Sequence, residues 1–138
     1  MRVHVIAFLS LVLLGLSSAH PSDVLKMLQG DWISDKEGTI AELKKDPWWT
    51  EQKLDAIVGA LGKLAVRYSG STCIAEMDDL KRTYEVKVIQ EATNTATLEW
   101  EDPELGLQRS TVEVYDDHVW VVPNDSEVFR ERFIRYDK

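Results

Sequence analysis

From Lys63 to the end of the chain the hydrophobic pattern keeps a period of two, and nothing else in the sequence restricts the fold so strongly. Candidate strands Leu64–Tyr68, Thr72–Met77, Arg82–Gln90, Thr95–Trp100, Leu107–Tyr115, His118–Val122 and Val128–Tyr136 follow one another directly. The links between them are short and rich in turn formers: Ser69-Gly70-Ser71, Asp78-Asp79, Ala92-Thr93-Asn94, the Asp102-Pro103-Glu104-Leu105-Gly106 segment, Asp116-Asp117 and Pro123-Asn124-Asp125-Ser126. Links of hairpin length cannot hold crossover helices, so successive strands must run antiparallel. A meander of this size leaves two unpaired edges unless it closes into a barrel or folds into a sandwich.

Upstream, Gly30–Ser34 reads as one more strand, which makes eight. Helical pattern is confined to either side of it. Ser22 is placed to cap a short helix reaching Leu28, and Thr39-Ile40-Ala41-Glu42 has capping-box spacing for a second helix ending near Lys45. Asp46-Pro47 offers a cap and a first-turn proline for a third helix. Leu54, Ile57, Val58 and Leu61 would form its apolar face, and Gly62 would end it. The first strand can then pair with the last, giving a mainly β, eight-stranded antiparallel barrel with short helices at the N-terminus and between strands 1 and 2.

Residues 1–19 read as a signal peptide: Arg2, an apolar run over Val5–Leu16, then the small residues Ser17-Ser18-Ala19. The expectation is a secreted or periplasmic protein whose single domain spans residues 20–138. The apolar run is too short for a convincing membrane span, so stable membrane insertion is not expected. The chain carries 24 Asp+Glu against 16 Lys+Arg, and cleavage would remove only Arg2 among its charged residues. Nucleic acid is therefore an unfavourable partner, because phosphate contact needs clustered Lys and Arg. Cys73, the one cysteine, cannot form an internal disulfide and has the strand parity of Ala75 and Met77, which suggests a core position.

No nucleophile elbow, zinc-protease helix or phosphate-cradling glycine loop occurs, so no catalytic residue and no cofactor is expected. The acidic pairs Asp78-Asp79, Glu101-Asp102 and Asp116-Asp117 fall at turns without the spacing of a calcium loop; turn chemistry accounts for them and no metal site is expected. Of the five tryptophans, Trp32, Trp100 and Trp120 lie in strands and read as core. Trp48 and Trp49 are adjacent in the helical insert, so their side chains point about 100° apart on a helix. They either pack between the helices or stand at the barrel entrance.

Gly30-Asp31-Trp32 at the head of the first strand resembles the G-x-W signature of lipocalin and calycin barrels. The arginine-bearing last strand, Phe129-Arg130-Glu131-Arg132-Phe133-Ile134-Arg135-Tyr136, is similar to theirs, and the insert after strand 1 sits where fatty-acid-binding proteins carry a lid. Trp32–Thr39 and Tyr115–Tyr136 look like small exported lipocalin-like proteins of bacteria. The resemblance implies that an arginine of the last strand, Arg132 or Arg135, packs over Trp32 at the closed end. It also implies non-catalytic binding of a small apolar or amphipathic ligand in or at the mouth of the barrel. The expected lining is Tyr68, Tyr84, Val86, Leu98, Val112 and Val121, with Trp48 or Trp49 at the entrance. The alternative is a solidly packed barrel that serves as a protein-interaction or inhibitor module.

Overall fold

A computed structural model describes residues 22–136; the expected signal peptide, residues 1–19, lies outside them. The elements run α1 (Asp23–Leu28), β1 (Gly30–Ser34), α2 (Lys36–Leu43), α3 (Glu51–Val58), β2 (Ala65–Ser69), β3 (Thr72–Met77), β4 (Leu80–Glu85) and β5 (Lys87–Glu91). They continue with β6 (Thr95–Asp102), β7 (Gly106–Val114), β8 (His118–Pro123) and β9 (Glu131–Arg135). All strands belong to one antiparallel sheet in the order β4-β3-β2-β1-β9-β8-β7-β6-β5. β1 pairs with β9 through Trp32↔Arg135 and Ser34↔Phe133, so the first ribbon meets the last.

Nine strands stand where eight were expected because the Arg82–Gln90 segment bends at Val86. Before the bend the chain pairs with β3, and after it with β6. The two ends of the sheet are therefore successive stretches of one chain, and a nearly closed barrel results. Val86 N–H still donates to Ser71 O (2.8 Å), which carries the β3 side of the ladder to the corner. β6 outruns its ladder with β5, which begins at Lys87↔Glu99. Side chains bridge the remaining seam. Tyr84 Oη donates to Asp102 Oδ2 (2.9 Å), and Arg82 pairs with Glu104 (3.0 Å).

One end of the barrel is plugged by α1. Ser22 caps it by accepting from Leu25 N–H, and Val24 and Leu28, four residues apart on one helix face, are both fully buried. They join Trp32, Leu98, Val112, Val114 and Phe133 in the core. Trp32 Nε1–H donates to Leu28 O (2.7 Å), so the indole is buried with its polar group satisfied. Of the two candidate arginines, Arg135 lies over the Trp32 ring, 3.9 Å from its centroid. Its guanidinium also donates to Met27 O and Gln29 O, carbonyls at the end of α1 that have no helical partner. Gly30 has φ +110°, and a Cβ there would lie 3.1 Å from Arg135 Nη1. The glycine of Gly30-Asp31-Trp32 is thus required by both backbone and arginine.

The insert between β1 and β2 leaves from the opposite end. α2 is capped by Asp35, which accepts from Gly38 N–H, rather than by Thr39. Thr39 lies inside the helix, fully buried, and its Oγ1 accepts from Arg132 N–H (2.9 Å), so the hydroxyl is spent on β9 instead of on a cap. Arg132 pairs with Asp35 and Arg130 with Glu42, which fastens α2 to the last strand. α3 begins after Thr50, not after Asp46. Asp46 accepts from Trp48 N–H (2.9 Å), a local turn that competes with helix initiation there. Leu54 is buried as expected, and the helix ends at Val58, short of Gly62.

Candidate functional site

Inward-facing residues of the strands enclose a cavity of about 300 Å³. Period-two alternation produces it: Val66 and Tyr68 on β2, Cys73 and Ala75 on β3, and Leu98 and Trp100 on β6 each lie two apart and face the same interior. The far wall comes from Val112, Val119, Val121 and Phe133, with Leu28 and Trp32 as floor. Leu105, 72% exposed in the β6–β7 turn, also lines the space, so the cavity reaches the barrel rim.

Five of the eight residues expected to contact a ligand, Tyr68, Tyr84, Leu98, Val112 and Val121, line this cavity together. Val86 is buried but sits at the strand corner, outside the lining. Trp48 and Trp49 are also outside it. Trp49 Nε1–H donates to Val128 O (2.6 Å) and its ring leans on Phe129, while Trp48 packs edge-on against Trp49 at 4.9 Å with Lys53 Nζ over its face. The pair joins the insert to the β8–β9 loop. No residue of α2 or α3 lines the cavity.

Polar groups on the wall are few and well defined. Asp102 accepts from Glu104 and Leu105 N–H through Oδ1 and from Tyr84 through Oδ2. The Leu105 and Glu104 amides, then the tyrosine hydroxyl, hold its carboxyl below the ordinary range. Tyr68 and Cys73 stand opposite each other on β2 and β3. Burial raises the Tyr68 phenol well above its usual value and pushes the Cys73 thiol up to about 11. Thiolate, not thiol, reacts with alkylating agents, so this elevation should slow Cys73 by roughly 100-fold before steric protection is counted. Intact-mass measurement during iodoacetamide treatment checks this; labelling at the rate of a free thiol would refute it.

Glu131 was not among the expected site residues. Ser34 Oγ donates to its Oε2, and Gly62 N–H donates to Ser34 Oγ (2.9 Å). Burial raises the Glu131 carboxyl above the usual range, and the Ser34 bond offsets part of that rise. A signal was readable: Glu131 alternates with Arg130 and Arg132 and shares the face of Phe129 and Phe133, which makes it an acid on an apolar stripe. Because its folded-state proton affinity exceeds the unfolded one, its contribution is favourable below the unfolded pKa and is lost as pH rises through the folded value. Glu131→Gln should therefore raise the thermal midpoint near neutral pH and lose that advantage in acid. Melting curves across pH test this; a lower midpoint at neutral pH would contradict it.

Among the described residues no group of three or more His, Cys, Asp or Glu side chains is arranged to hold a metal ion. No helix there is long and apolar enough to cross a membrane. No family model matches the chain, and no curated protein or solved structure matches it either. The cavity's own chemistry therefore carries the functional argument.

Proposed function

We propose that this chain is an exported, non-catalytic binding protein of lipocalin-like type that holds a small apolar or amphipathic molecule in its barrel. Export rests on the pattern of residues 1–19. One observation carries the binding reading: the interior is hollow, about 300 Å³, walled mainly by apolar side chains and continuous with the rim. That volume lies at the lower end of small-molecule pockets, and a few polar groups on an apolar wall is their usual composition. Unfilled volume in a core costs stability roughly in proportion to its size, whereas a barrel serving only as a scaffold could be packed solid.

The interaction-module reading draws support from Leu80, Leu105 and Leu107, which are 64%, 72% and 51% exposed in or beside the turns at the cavity-mouth end. Native mass spectrometry of protein purified from its source separates the two. A small-molecule adduct that disappears on denaturation is the expected result. A co-purifying polypeptide would favour the interaction module, and a bare chain that also fails to take up octan-1-ol would overturn the binding reading.

A further inference from the structure

We propose that the cavity takes a cationic amphiphile, its apolar body against the barrel wall and its ammonium or amidinium head on the Glu131 carboxyl. This deepens the binding reading above and rests on it.

The charge of the lining is the first argument. Its charged side chains are the carboxyls Asp102 and Glu131, and among the described residues no Lys, Arg or His lines the cavity. An anionic head would meet like charge without a counter-ion, while a cationic head meets opposite charge in a weakly screening interior. Capacity distinguishes the two acids. Asp102 is already supplied with three donors. The Glu131 carboxyl has one hydrogen-bond partner among the described residues, Ser34 on Oε2, and its Oε1 has none there.

Ser34 also sets the polarity of the site. The Ser34 hydroxyl accepts from Gly62 N–H and donates its own proton to Glu131 Oε2, so that carboxyl oxygen serves as an acceptor. Neighbouring cations do not serve it. Arg130 is paired with Glu42 and lies over the Trp120 ring, and Arg132 is paired with Asp35 and is put by alternation along β9 on the face opposite Glu131. A carboxylate in an apolar cavity without a cation is costly. A ligand ammonium would supply the missing charge-assisted hydrogen bond. The cavity, about 300 Å³, limits the body to a short alkyl chain or a small ring system.

Octylammonium, octan-1-ol and octanoate share a body and differ in head, so calorimetric titration of the full chain with each isolates the head group. Moderate salt suppresses the general attraction of an acidic surface for amines. Octylammonium should bind about tenfold tighter than octanol, with octanoate weakest. Glu131→Gln, which still accepts from Ser34, should abolish the preference by weakening octylammonium; Glu131→Asp should retain it. Glu101→Gln, at an exposed position outside the cavity, should change nothing. Equal affinity for amine and alcohol, a preference for octanoate, or a preference that survives Glu131→Gln would overturn the head-group inference alone. Absence of binding by all three probes would overturn the binding reading and this inference with it.

Discussion

Trp32→Ala is expected to lower the unfolding free energy by about 3–5 kcal/mol, a large part of what a domain of this size normally has. Trp32 is 1% exposed and is the largest fully buried side chain. Its removal would leave a void at the barrel floor and strip Leu28 O of its indole donor. It would also leave the Arg135 guanidinium without the ring beneath it, a contact worth about 0.5–2 kcal/mol. Urea denaturation measures the loss. If the alanine variant does not fold, Trp32→Phe keeps most of the apolar contact and should cost less, while still losing the hydrogen bond to Leu28. A change below about 1 kcal/mol for Trp32→Ala would mean that the closed end is not held by this residue.

Ala75→Trp is expected to weaken octanol binding by about tenfold or more while leaving the fold intact. Ala75 lies on β3 between Val66 and Arg82 of the neighbouring strands and lines the cavity. An indole placed there enters space that is already empty, so the overpacking cost of about 1–3 kcal/mol for a filled core should be largely avoided. Calorimetry gives the affinity and thermal melting the stability. Undiminished octanol binding in a folded variant would place the ligand elsewhere. A strongly destabilised variant would show that the cavity cannot admit an added ring. Together with Glu131→Gln, this substitution separates the need for volume from the need for charge.

Much of the site could be read from alternation alone. Tyr68, Tyr84, Leu98, Val112 and Val121 were placed on the inner face by parity, and the cavity contains them all. Val86 has the same parity but falls where the strand changes partner, and a corner breaks the relation between parity and facing. The tryptophan pair lies outside the cavity for a different reason. Its placement depends on Val128 O and Phe129, about eighty residues downstream, and no local pattern announces that contact. Thr39 shows the same limit on a smaller scale, since capping-box spacing was present but a β9 amide claimed the hydroxyl.

Sequence alone determined the antiparallel meander and the apolar character of the interior, and it allowed the first strand to meet the last. Each follows from residue spacing and link length, which are local properties of the chain. Tertiary structure decided which arginine covers Trp32, how the seam between β4 and β6 is bridged, whether the barrel is hollow, and that Glu131 stands in it with one carboxyl oxygen unpaired among the described residues. Those features depend on distances between side chains remote in sequence. Interior volume is the difference between the space the strands enclose and the space their side chains fill, a balance that no single stretch of the chain contains.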